Sequence, residues 1–140
     1  MYEQCLYFNL NSVTRLVNDL WDKHYAHLGL SPAHSYLLGI VLDAPGLTSA
    51  EIASRLEIAP STVSRFVDAL ADKGLLKRKP DSRDSRAMRI HPTRAARAKA
   101  AALAETNLKL YREVRTALDP AAVTELVAIL RDIRMKARPS

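Results

Sequence analysis

The stretch TSAEIASRLEIAPSTVSRFVDALADKGLLKRKPDSRDSRAMRI, residues 48–90, decides the fold of this 140-residue chain. Its opening, Thr48-Ser49-Ala50-Glu51, has the form of a capping box, in which Thr48 accepts from the amide of Glu51 and Glu51 reaches back. Ile52, Ala53 and Leu56 then give a short helix its apolar stripe. Glu57-Ile58-Ala59 make a tight turn. Pro60-Ser61 open a second helix, read over residues 61–73, with Val63, Phe66, Val67 and Leu70 on its buried side. Gly74 ends it, because glycine readily takes the left-handed conformation that closes helices. Two short helices on a tight turn make a helix-turn-helix.

Beyond Gly74 the apolar period changes. Leu75-Leu76-Lys77-Arg78-Lys79 and Ala87-Met88-Arg89-Ile90-His91 each suit a short strand, and residues 80–86 between them are rich in turn formers and charge. The pair is a β-hairpin, a wing beside the two helices.

Working outward, Leu6, Leu10, Val13, Val17, Leu20 and Trp21 recur at helical spacing in a region that Gly29 ends. Ser31-Pro32 supplies an N-cap and a first-turn proline for a helix carrying Tyr36, Leu37, Ile40 and Val41, which stops at Pro45-Gly46. From Thr93, the residues Ala96, Ala100, Leu103, Leu110, Tyr111, Val114 and Leu118 line one face of a long alanine-rich helix. Asp119-Pro120 starts a last helix with Val123, Leu126, Val127, Leu130 and Ile133. The segments Leu6–Leu28 and Leu103–Ile133 carry more apolar face than one small winged domain covers, so a second copy of the chain is expected to bury the rest.

The chain is 48% apolar, enough for a core, and its net charge of +6 favours a polyanionic partner. A single cysteine, Cys5, excludes an intramolecular disulfide and a thiolate zinc site. With no basic stretch followed by an apolar one after Met1, and no apolar run near the ~20 residues that span a bilayer, neither export nor a membrane partner is expected, and the cytoplasm is the expected compartment. No phosphate-binding glycine loop, His-Glu-x-x-His pattern or placed nucleophile is present, so neither an enzyme nor a cofactor is expected.

The chemistry of the helix at 61–73 suits DNA. Ser61, Thr62, Ser64 and Arg65 lie on its polar side near the N-terminal end. Short hydroxyls permit close approach to a major groove, and Arg65 can reach a guanine edge or a phosphate. The alternative is an amphipathic helix with a solvated polar face. In the wing, Arg83 and Arg86 stand with Asp81 and Asp84, a set that can put an arginine into a minor groove while an aspartate orients its guanidinium. Lys77, Arg78 and Lys79 on the first strand suit phosphate. The alternative there is a solvated hairpin with surface ion pairs.

These segments resemble the MarR family of bacterial regulators. The resemblance rests on Leu-Ser-Pro-Ala-His-Ser-Tyr-Leu-Leu (30–38), Leu-Thr-Ser-Ala-Glu-Ile-Ala-Ser-Arg-Leu (47–56), Ala-Pro-Ser-Thr-Val-Ser-Arg-Phe-Val-Asp-Ala-Leu (59–70) and Lys-Gly-Leu-Leu-Lys-Arg (73–78). The family's wing motif, Asp-x-Arg-x-x-Arg, stands intact at Asp81, Arg83 and Arg86. The resemblance implies a dimer of intertwined terminal helices, with two recognition helices in successive major grooves of a palindrome and wing arginines in the flanking minor grooves. The segment Pro92-Thr93-Arg94-Ala95-Ala96 departs from it where members carry an acidic residue and glycine.

The expected fold is therefore mainly α with a small β-hairpin wing. An N-terminal dimerisation helix occupies 1–30, a winged helix-turn-helix DNA-binding domain 31–93, and C-terminal dimerisation helices 94–140. The expected function is that of a sequence-specific transcriptional regulator, a repressor, binding a palindromic operator as a homodimer. Trp21, Tyr25 and Tyr36 are candidates for a cleft taking a small aromatic or phenolic effector, with aromatic core packing as the alternative. Cys5 resembles the peroxide-sensing cysteine of one branch of the family, but Asp19 stands where those sensors carry a tyrosine, so a structural, half-buried thiol is favoured over a redox switch. His24, His27 and His34 lack the acidic or thiolate company of a metal site, and no metal is expected. A winged-helix protein-interaction module that never touches DNA is the rival from another class.

Overall fold

The computed structural model describes residues 1–137; residues 138–140, the end of the expected C-terminal segment, lie outside the described residues. After a single 3-10 turn, α1 (Leu6–Tyr25) is followed by α2 (Pro32–Asp43), α3 (Ser49–Leu56) and α4 (Pro60–Asp72). The strands β1 (Leu76–Pro80) and β2 (Met88–Pro92) come next, then α5 (Arg94–Ala117) and α6 (Pro120–Lys136). Packing divides the chain into two units, Met1–Ala104 and the residues from Glu105 onward, with the division falling inside α5. No helix among the described residues is long and apolar enough to cross a membrane.

The first unit is built on the start signals of its helices. Ser31 Oγ accepts from the His34 amide at 3.1 Å with Pro32 in the first turn, which starts α2. The capping box of α3 is complete: Thr48 Oγ1 accepts from Glu51 N at 3.2 Å, and Glu51 Oε2 accepts from Thr48 N at 2.7 Å. Glu57, at φ 57°, turns the chain between α3 and α4 in the left-handed region. Leu37, Leu38 and Val41 of α2, Ile52 of α3, Val63, Val67 and Leu70 of α4, and Leu75, Leu76 and Ile90 of the hairpin are all buried together.

The hairpin is antiparallel, with Leu76 opposite Pro92, Lys77 opposite His91 and Pro80 opposite Met88. Each strand begins one residue later than the sequence suggests. The reason lies in the close of α4, where the Leu75 amide donates to Leu70 O at 2.9 Å and so belongs to the helix C-cap. The Gly46 amide donates to Ile90 O at 2.8 Å and the Ile90 amide to Leu47 O at 2.9 Å, which ties the loop before α3 to the wing as a third edge. Thr93 resolves the irregular start of α5: its Oγ1 accepts from the Ala96 amide at 3.2 Å and donates to Gly74 O at 2.7 Å.

Along α5 the expected apolar face changes character. Ala96, Leu103 and Leu110 are buried, whereas Tyr111 and Leu118, expected on the same buried face, are 59% and 56% exposed. In the second unit Asp119 caps α6 by accepting from the Ala121 amide at 3.1 Å, with Pro120 in the first turn. No residue of α6 is buried.

Candidate nucleic-acid interface

The first component is the N-terminal half of α4. Val63, Val67 and Leu70 point inward, which leaves Ser61 and Arg65 exposed and Thr62 and Ser64 half-buried. Phe66, expected in the core, is only half-buried and packs edge-on against the His34 ring at 4.7 Å. Burial, with Lys73 nearby, holds His34 below the ordinary imidazole range. In contrast to α3, α4 has no side-chain cap, so its first amides and the positive end of its dipole are not taken by a neighbouring side chain. Arg65 makes no hydrogen bond or ion pair among the described residues.

The wing arginines fall into two groups. Arg83 and Arg86 stand exposed at the tip, and the tip is ordered by its two aspartates. Asp84 Oδ1 accepts from both the amide and Nε of Arg86, at 3.1 and 3.2 Å, so it holds that side chain as the spacing suggests. Asp81 acts differently. Its Oδ1 accepts from the Arg83 amide at 3.1 Å, but its Oδ2 accepts from the guanidinium of Arg89 at 2.9 Å. Arg78, expected at phosphate, pairs in the free chain with Asp68 of α4 at 2.6 Å and braces the strand against that helix. Lys77 and Lys79 are exposed and enter no ion pair among the described residues.

Arg89 is the residue that sequence reasoning missed. It donates to Gly46 O at 2.8 Å and to Asp81, and lies 4.0 Å from Glu51, so it joins the wing to the loop before α3 and to the α3 cap. The Arg89 guanidinium and the Arg83 amide hold the Asp81 carboxyl below its usual range. Hydrogen bonds from Thr48 do the same for Glu51. A signal existed in the alternation Met88-Arg89-Ile90-His91: with Ile90 inward, Arg89 and His91 must share the other face.

The aromatic candidates do come together. Trp21 Nε1 donates to the Tyr36 hydroxyl at 2.9 Å, and the Tyr25 and Tyr36 rings meet edge-on at 6.3 Å. Tyr25 is buried, Trp21 is half-buried and Tyr36 is 47% exposed. Burial, reinforced by Tyr36, pushes the Tyr25 hydroxyl up to about 12. Cys5 is not half-buried as expected: it is a free thiol exposed at the N-cap of α1, ahead of the residues that pack. His24 lies near the end of α1 with Nδ1 2.9 Å from Leu20 O, whereas His27 sits in the following 3-10 turn. No group of three or more potential metal ligands occurs among the described residues.

Residues 28–87 match the MarR family. The matched segment takes in α2, α3, α4 and β1, so the likeness to that family covers the helix-turn-helix and the first half of the wing. Among curated proteins, the HTH-type transcriptional repressor YetL of Bacillus subtilis (strain 168) is 26% identical over 96 residues, 67% of this chain and 58% of that protein's length. The crystal structure of a "probable transcriptional regulator" from Pseudomonas aeruginosa superposes with a TM-score of 0.86 at 18% identity, covering 95% of this chain and 99% of the other. The transcriptional repressor CouR, bound to a 23-mer DNA duplex, gives a TM-score of 0.84 at 24% identity with 94% of both chains covered. The fold shared with these two structures thus extends beyond the matched segment to the flanking helices.

Proposed function

We propose that this protein is a transcriptional repressor that binds a palindromic operator as a homodimer, with α4 in the major groove and the wing tip in the adjacent minor groove. One observation carries this reading. Arg65 on α4 and Arg83 and Arg86 on the wing are exposed cationic groups at both groove-facing positions, and two of the three have a backbone amide or side chain held by an aspartate. A module that docks only proteins has no need for arginine at both places. The descriptions of YetL and CouR as repressors, and the duplex bound to CouR, support the same reading.

The apolar faces of α1 and α6 support the dimer, and the compartment is the cytoplasm, where the chromosome of a bacterium lies. The Trp21–Tyr25–Tyr36 cluster is the place for a small aromatic or phenolic effector that releases the repressor. The test is binding of a fluorescent random-sequence duplex across a salt series. Each phosphate neutralised contributes a slope of about −0.9 in log K against log salt. We expect a slope of several units, and retention that does not depend on salt would sink the reading.

A further inference from the structure

The two faces of the wing differ in how their charges are used. On one face, Ile90 is buried and Arg78 is spent on Asp68. Alternation places Lys77, Lys79, Arg89 and His91 on the other face, where Lys77 stands directly opposite His91 and Lys79 directly opposite Arg89. Asp81 and Glu51 are committed to Arg89. Lys77, Lys79 and, from the first turn of α5, Arg97 enter no ion pair among the described residues. The His91 ring rests over Gly46, where a Cβ would come within 3.3 Å of it, so the imidazole is fixed in position among these cations. Like charges gathered on adjacent rungs repel unless an anion joins them.

The dimensions suit a duplex. Antiparallel strands rise about 3.4 Å per residue, so the Lys79 and Lys77 rungs lie roughly 3 and 10 Å behind the last rung of the hairpin. The minor groove is about 7.5 Å deep. With the loop at 81–87 in the groove, the rungs behind it are the part of the wing nearest the phosphates at its rim.

We propose that this outer face of the wing is a second phosphate-contact surface for the same duplex, and that His91 takes up a proton when the phosphates close on it. The proposal rests on the DNA-binding reading above. In the free protein His91 is held below the ordinary 6.5, first by burial and then by Lys79, Lys77, Arg89 and Arg97, which are the charged groups facing it from β1, β2 and α5; the α2–α3 loop presents only Gly46. A phosphate beside the ring favours the charged form and raises its pKa. Binding is then indifferent to pH well above both values. Affinity rises as pH falls through the bound-state value and levels off below the free-state value. Each unit of difference strengthens binding by about tenfold per wing.

The experiment measures the affinity of the full chain for one duplex between pH 5.5 and 8, for wild type, His91→Gln and Lys77→Gln. We expect wild type to bind more tightly as pH falls and His91→Gln to lose part of that rise; the difference between the two curves separates His91 from His24, His27 and His34. Lys77→Gln changes an exposed side chain and does not disturb the packing over Gly46. It should weaken binding and flatten the salt slope by up to about 0.9. Identical pH curves for wild type and His91→Gln, with a wild-type salt slope for Lys77→Gln, overturn the proposal and leave the DNA reading intact. That is also the pattern if the face serves an acidic protein segment. Failure of wild type to bind duplex at any pH overturns both.

Discussion

Two arginines on the proposed DNA face are expected to do different work, and their surroundings say why. Arg65 is unpaired and sits one turn from Ser61 at the uncapped end of α4, where a bidentate contact with a base edge is sterically open. Loss of such a contact costs roughly 1–3 kcal/mol in discrimination between bases. Arg65→Ala should therefore weaken operator binding much more than binding of scrambled duplex. Arg86 projects from the wing tip with Asp84 fixing its Nε. Contact with backbone and groove reads width and charge, so Arg86→Ala should weaken both duplexes alike, with a salt slope shallower by about one unit or less. Competition binding across a salt series reads both effects, and unchanged affinity in both variants would place the DNA face elsewhere. The solvent-facing residues of this set were legible in the sequence because a local spacing was all they required. Arg78 and Arg89 were not. Asp68 and Gly46 become their neighbours only when the hairpin folds back on α4 and on the loop before α3, and Asp81 meets Arg89 only when the hairpin closes.

At the scale of elements, start signals proved the most legible feature. Ser31-Pro32, Thr48-x-x-Glu51 and Asp119-Pro120 each form the cap that their composition announces, because a cap depends on three or four consecutive residues. The α3 cap does more than start a helix, since Glu51 also faces Arg89 at the base of the wing. Thr48→Ala removes the hydroxyl that accepts from Glu51 N and should cost about 0.5–2 kcal/mol of stability, read as a lower denaturant midpoint with unchanged slope. Glu51 is held below its ordinary 4.5, so its contribution is present above that value and is lost as pH falls through the lower folded-state value. The gap between wild type and Thr48→Ala should accordingly narrow in acid. An unchanged midpoint at neutral pH would show that the box does not stabilise the domain. Features set by packing were harder to read. The strands slipped by one residue because Leu75 closes α4, and the stripe of α5 reads as continuous in sequence although Tyr111 and Leu118 are exposed.

At the scale of the whole molecule, what the single chain leaves uncovered argues for its assembly. Along α1, Leu6, Leu10, Val13 and Val17 fall on one face at spacings of four, three and four, and all are exposed. On α6, Leu126, Leu130 and Ile133 repeat that arrangement, again exposed. Isolated exposed leucines need no explanation, but complete apolar stripes on two helices do. Amphipathic helices without a covered stripe are poorly stable in water, because burial of that stripe supplies most of a helix's stability in a protein. In the dimer proposed above these residues would form the seam with a second copy, and a symmetric seam would bring two α4 helices and two wings to one duplex. Replacing both Leu126 and Leu130 with Asp puts two charges per subunit into that seam. Both side chains are exposed in the single chain, so the winged domain itself should keep its fold. Light scattering at micromolar concentration should show a dimer for wild type and a monomer for the double variant. Circular dichroism should retain the helices of the first unit, while affinity for a two-half-site duplex falls toward that for a single half-site. A monomeric wild type would remove the reason for the two stripes and overturn the dimeric architecture. A dimeric double variant would move the seam off α6 and onto α1 alone.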